Sequence, residues 1–218
     1  MKTTFEKIRA AVAAHEVEQN RKDAEWIKTQ TAGQIVNNWA LKAYTTPKTL
    51  EALETMNPDE KPSEDIIAKM IKKAERKNAK NTAERIAKIE AAENAEDVNS
   101  ITINVEYYRS RTWGWNPTAT VIGRYDYTHG SASGCGYDKT SAAMSYAMND
   151  SPEVMRILYK HAEAGETFPY SVHTFAGVPS FDGGCGVTCF YAVFEACGYK
   201  FRQTADGRTF STFSIEKA

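Results

Sequence analysis

The chain has 218 residues, 27 Lys+Arg, 28 Asp+Glu and a formal net charge of −1, so no bulk electrostatic attraction draws it to nucleic acid or to a membrane surface. Its four cysteines, at 135, 185, 189 and 197, lack the paired Cys-x-x-Cys spacing of a zinc knuckle, and neither a metal nor a cofactor is expected. No window of about 18 apolar residues suits a membrane span, and the first six residues carry no apolar run of a signal peptide; the expectation is a cytoplasmic chain with reduced thiols.

The two halves differ in kind. Residues 1–97 hold 17 Lys+Arg and 17 Asp+Glu but four of the 24 aromatics and one Gly of 13. Residues 98–218 hold every cysteine, 20 aromatics and 12 Gly. Composition therefore predicts a polar helical arm over 1–97 and a compact α+β domain over 98–218.

In the arm, Phe5, Ile8, Val12 and His15 fall at helical spacing within residues 4–19, with His15 on the apolar face. Apolar residues resume at Trp26 and Ile27, then at Ile35, Val36, Trp39 and Tyr44; Gly33 between them is the expected break or bend. Thr46-Pro47 has the pattern of an N-cap and first helical residue, and Asn57-Pro58 ends that short helix. Ser63 caps the longest element, with Glu64 and Asp65 in its first turn, running to about Asn94. Its middle is polar: residues 69–88 hold eight basic residues against two acidic ones, a balance of +6. Lys72, Lys73, Arg76, Lys77 and Lys80 form either a solvated helix face or a contact for a nucleic-acid backbone. No aromatic residue interleaves with them, so base stacking there is not expected. Long polar helices also pair, which keeps a homodimer open, although no sustained heptad supports it.

In the second half, Ile101, Ile103, Val105 and Tyr107 alternate with polar residues as on a half-buried strand, and residues 119–127 form a second strand. The stretch between, including Trp113, Trp115 and Pro117, is expected as a long hairpin loop whose tryptophans either cap the core or present an exposed anchor. Helices follow over 137–149, from Ser151-Pro152 to Gly165 with Val154, Ile157, Leu158 and His161 as its stripe, and over 187–197 closed by Gly198. Residues 199–203 and 209–215 form a hairpin across Asp206-Gly207. The fold class predicted is α+β: a helical arm, then a small antiparallel sheet of two hairpins with helices packed on one face.

Two loops place a Gly-Cys-Gly where a helix begins: Gly134-Cys135-Gly136-Tyr137-Asp138-Lys139 and Gly184-Cys185-Gly186. Helix starts offer unpaired N–H groups and a positive dipole end, so facing starts would make an anion pocket. Lys139 and the glycines suit a phosphate cradle, without the Walker spacing. Cys135 or Cys185 at a helix start suits a thiol enzyme with His129 or His173 as base and Asp182 orienting it. Cys185 and Cys189 with a histidine would be an incomplete metal set. The structural alternative is that the glycines serve close approach and the thiols fill space; Cys189 and Cys197, beside Phe190 and Phe194, are expected in the core.

The segments from Arg111 to Pro117, from Ser133 to Lys139 and from Phe181 to Val187 together resemble a family of uncharacterised proteins from prophages and mobile elements of Gram-positive gut bacteria. The resemblance covers roughly residues 98–200. It brings no activity or catalytic residue with it. It implies a small non-enzymatic protein that binds a host protein or nucleoprotein complex and blocks host defence, in the manner of an anti-CRISPR protein acting on a nuclease complex or its nucleic acid.

Overall fold

The computed structural model describes residues 4–110, 114–121, 125–128, 139–162 and 187–218. Its elements are α1 (Thr4–Thr29), α2 (Ala32–Asn37), α3 (Trp39–Lys42), α4 (Pro47–Glu54), α5 (Glu64–Asn94), β1 (Ser100–Ser110), β2 (Gly114–Val121), β3 (Tyr125–Thr128), α6 (Lys139–Asn149), α7 (Pro152–His161), α8 (Thr188–Ala196), β4 (Tyr199–Asp206) and β5 (Phe210–Lys217). The class is α+β, long helices followed by an antiparallel sheet with helices against it. Residues Val12–Ile86 form one compact unit; the chain up to Ala11 and from Ala87 onward forms the other. Among the described residues no helix is long and apolar enough to cross a membrane.

The helical unit is punctuated by caps. α1 runs ten residues beyond residue 19 and stops where Thr29 Oγ1 and Gln30 Nε2 donate to the carbonyl of Trp26. Thr31 then starts α2 with a capping box: Gln34 N donates to Thr31 Oγ1, and Thr31 N to Gln34 Oε1. The break therefore precedes Gly33, which lies inside α2. Gly33 serves close approach instead: its N–H donates to Pro58 O at 2.9 Å, and a Cβ there would stand 2.9 Å from Pro58 Cβ. Thr46 Oγ1 accepts from Thr49 N at the start of α4, with Pro47 in its first turn, and Ser63 Oγ accepts from Ile66 N at the start of α5.

These turns bring Ile27, Ala32, Ile35, Leu41, Leu53, Met70 and Ala74 into one buried cluster. Trp39, expected among the apolar positions, is 84% exposed. Asn38 caps α3 just before it and turns Leu41 inward in its place.

In the second unit the strand order is β3-β2-β1-β5-β4, every pair antiparallel. Ile101, Ile103 and Val105 are buried as their alternation requires, while Asn104 and Glu106 are exposed. Ala119 and Val121 on β2, Phe213 and Ile215 on β5 and Phe201 on β4 continue the buried face. α6, whose Ser141, Ala143, Met144, Ser145, Ala147 and Met148 are buried, packs on β2 and β3, and α8 packs on β4. Phe201 is the hub of an aromatic cluster, with ring centroids 5.6 Å from Phe213, 5.8 Å from Phe194, 5.7 Å from Phe190 and 5.2 Å from Tyr191. Cys197 lies in this core as expected, its thiol pushed up to about 12 by burial. The side chain of Cys189 is outside the described residues. Gly198 closes α8 at φ 75.

Three expectations need correction here. Residues 119–127 are not one strand: β2 ends at Val121 and β3 starts at Tyr125, which makes the sheet five-stranded. Nor is the stretch from Ser110 to Pro117 a long loop. Ser110 pairs with Gly114, so Trp115, Asn116 and Pro117 belong to β2, with Trp115 opposite Arg109. Pro117 is tolerated because of where its imide nitrogen points. Its partner Tyr107 sends its own N–H toward Thr209, on the β5 side, so the Tyr107–Pro117 pair is non-hydrogen-bonded and the proline faces away from β1. Among the described residues pairing with β3 begins at Thr118, and toward β1 the missing N–H costs no ladder bond. Finally, His161 ends α7 in an exposed position, where the buried stripe of Val154, Ile157 and Leu158 has run out.

Asp97 ties α7 down: its carboxylate accepts from Lys160 Nζ at 2.5 Å and Arg156 Nε at 2.7 Å. These two cations hold its carboxyl down at about 2. A depressed folded-state value gives stability that is present above about pH 4, the ordinary carboxylate value, and is lost as pH falls toward 2. Asp97→Asn is expected to flatten the acid limb of the melting temperature measured against pH over that window. Phe201→Ala is expected to cost about 3–5 kcal/mol in urea denaturation, as the central ring of a packed cluster.

Candidate anion-binding groove

The buried pair Met70 and Ala74 sets the rotation of α5, since residues four apart share one helix face. That rotation decides where each basic side chain goes. Lys69, Lys72, Lys73 and Arg76 fall on the flank beside α4 and line a groove of about 710 Å³ with Lys48, Thr46 and Thr49 from α4 and its cap. Ser63, Asp65, Ala52 and Ile66 complete the lining, the last two of them apolar.

Five cations thus face one acid. Lys69 Nζ lies 2.5 Å from Asp65 Oδ2, and Lys73 Nζ donates to the carbonyl of Thr45, bracing the wall of the groove. Lys48, Lys72 and Arg76 have no partner among the described residues and are exposed. Ser63 Oγ accepts from a backbone N–H at the start of α5 and keeps its own proton to donate, while Thr46 and Thr49, bonded hydroxyl to hydroxyl at the start of α4, keep one between them. The starts of α4 and α5 both line the groove, adding the positive ends of two helix dipoles. Unpaired cations, donor hydroxyls and helix starts in one concavity are the chemistry that receives an oxyanion.

The other flank of α5 is a polar layer. Asp23 of α1 is buried and accepts from Gln19 Nε2 at 2.8 Å, Asn78 Nδ2 at 2.9 Å and Tyr44 OH at 3.3 Å. Asn78 also donates to Asn20 Oδ1 at 2.8 Å. Burial, and then the Asp23 charge, raise the Tyr44 phenol above its usual value. Three donors offset the desolvation of the carboxylate, and a polar layer inside a helix pair fixes its register. His15, expected on the apolar face, is exposed at the edge of this layer.

Of the five basic residues singled out from sequence, the structure brings together Lys72, Lys73 and Arg76. Lys77 turns to the other flank, its ammonium 5.4 Å from the Tyr44 ring centroid, and Lys80 is exposed, 3.8 Å from Glu84 Oε1. Lys139 is the first residue of α6 and Trp115 a residue of β2. Trp113, Gly134, Cys135, Gly136, Tyr137, Asp138, Gly184, Cys185 and Gly186 lie outside the described residues. Sequence reasoning missed Lys48 and the hydroxyls of Thr46, Thr49 and Ser63 as lining groups. Their capping patterns were visible, but that both helix starts open onto one groove is a tertiary fact. Among the described residues no group of three His, Cys, Asp or Glu could hold a metal ion. No protein-family model matches the chain, and no match is found among curated proteins or solved structures.

Removing the buried acceptor tests the polar layer. Asp23→Ala strands three donors and is expected to cost about 1–3 kcal/mol, with Asp23→Asn, which retains one acceptor oxygen, intermediate in the same urea titration.

Proposed function

We propose that this chain is a non-enzymatic binding protein of a mobile element, acting in the cytoplasm on a host nucleoprotein complex and gripping the phosphate backbone of its nucleic acid through the α4–α5 groove. The observation that carries this reading is the gathering of Lys48, Lys72 and Arg76, all unpaired, in one concavity with two helix starts. Clustered cations release counterions when they meet phosphates, which is the main source of sequence-independent affinity. The one acid of the groove, Asp65, is engaged by Lys69, so the lining suits holding an anion rather than moving a proton. The purpose, interference with host defence such as a CRISPR nuclease, comes from the resemblance of residues 98–200 to mobile-element proteins.

The experiment is anisotropy of a labelled oligonucleotide titrated with the full chain at several KCl concentrations. Replacing Lys48, Lys72 and Arg76 together by Gln is expected to reduce the slope of log K against log salt by about 2–3, close to one for each phosphate no longer neutralised. Lys80→Gln, outside the groove, is the control and should move it little. An unchanged slope in the triple variant would remove the groove from the function.

A further inference from the structure

We infer that the outer edge of β4 receives an extended, acidic segment of a partner protein, added as a further strand of the sheet; this goes beyond the groove and does not rest on it. β4 ends the strand order, and among the described residues no strand pairs with its far side. The phase of its ladder is set where Ala218 N donates to Gly198 O. Hydrogen-bonded pairs alternate along an antiparallel ladder. Lys200 and Arg202 therefore direct their backbone groups to Glu216 and Ser214 of β5, and Tyr199, Phe201 and Gln203 turn theirs outward. The pairing is regular up to the bulge between Gln203 and Ala205. Outward donors and acceptors at alternate residues are what an added strand bonds.

The side chains decide which strand fits. Lys200 and Arg202 are exposed and make no ion pair among the described residues. They lie on the face of β4 opposite the buried Phe201. Charges on an edge keep copies of one chain apart, and these two do so in every nearby register. Pairing two β4 strands antiparallel about Phe201 sets Lys200 against Arg202. Sliding the pair either way sets Lys200 against Lys200 or Arg202 against Arg202. Like charges directly opposite one another are destabilising, and opposite charges there are favourable. The edge thus rejects a second copy and favours a strand with acids at alternate positions. On the other face, Tyr191 of α8 is 41% exposed, its ring centroid 5.2 Å from that of Phe201. It offers apolar surface to the intervening side chains, so the fitting segment alternates acidic and apolar residues.

The test titrates a fluorescent peptide of alternating Glu and Val with the full chain and follows anisotropy. Two comparison peptides are a Lys-Val repeat and a Glu-Val repeat N-methylated at its valines, the residues placed opposite Tyr199, Phe201 and Gln203. The plain Glu-Val peptide is expected to bind about tenfold more tightly than either, through its strand hydrogen bonds and cross-strand charge pairs. Lys200→Glu combined with Arg202→Glu should reverse the order of the Glu-Val and Lys-Val peptides. Gln203→Pro, which deletes an outward N–H and no bond to β5, should weaken the Glu-Val peptide as methylation does. Circular dichroism melts matching the parent confirm folding, and if a variant unfolds, the methylated peptide decides. Absence of Glu-Val binding, equal binding of the methylated peptide, or an order unchanged by charge reversal overturns the inference. Peptide binding lost in the Lys48, Lys72 and Arg76 triple Gln variant but kept in the edge variants also overturns it, and assigns the peptide to the groove. A dimer in sedimentation that Gln203→Pro dissociates overturns it in favour of a second copy. Oligonucleotide binding is expected to be unchanged in the edge variants, so this inference and the groove reading fail separately.

Discussion

The structure of the helical unit depends on how α5 is anchored. A helix of 31 residues that is polar through its middle has little to fix its rotation. Here Met70 and Ala74, one turn apart and fully buried, do so against Ile27, Ile35, Leu41 and Leu53. Because side chains four apart share a face, burying this pair leaves no freedom in where the charged positions point. Lys69, Lys72, Lys73 and Arg76 must flank α4. Lys77, Asn78 and Asn81 must turn toward α1. An apolar constraint, not an electrostatic one, gathers the cations.

Gathering like charges is unfavourable, and the fold limits the penalty in two ways. Lys69 is neutralised by Asp65 one turn before it, and Lys73 is tied to the Thr45 carbonyl, so the two bracing cations are satisfied within the protein. The three left unpaired, Lys48, Lys72 and Arg76, are exposed and remain hydrated, so they repel one another weakly through water. A ligand that displaces this water gains all three at once. The polar layer around Asp23 plays the opposite part. Its one carboxylate is enclosed by neutral donors, and it holds α1 to α5 through them.

Local signals were the legible part of the sequence. The caps at Thr46, Ser63 and Ser151, the alternation from Ile101 to Val105, the Asp206-Gly207 hairpin and the glycine after α8 are each written within a few residues, and the structure has them. What was not legible depends on partners distant in the chain. Trp115 and Pro117 look like loop residues because tryptophan, glycine and proline crowd together there. Their strand exists because β1 extends to Ser110 and supplies the pairing, and because the proline falls at a position that needs no N–H toward β1. Gly33 looks like a break because glycine weakens helices, but the capping pair Thr31 and Gln34 places the break before it, and the glycine answers to Pro58. The basic run suggests a phosphate contact from charge alone. Which of its members converge is decided by Met70 and Ala74, and the pairing with Lys48 by the fold of the 46–63 segment.

The near-zero net charge of the chain and a basic groove are compatible, and together they shape how the groove would work. With 27 basic and 28 acidic residues overall, the long-range field is weak and does little to speed encounter. At physiological salt charges are screened beyond about 8 Å, a distance comparable to the axial spread of Lys69 to Arg76. A phosphate passing at a distance therefore feels almost nothing, and one lying between α4 and α5 feels every cation together with two helix starts. Such a field would act only at short range. A uniformly basic protein would instead bind any polyanion it met. The buried cluster that holds Leu53, Met70 and Ala74 thus decides which cations share the groove, and their placement rather than their number sets the local field.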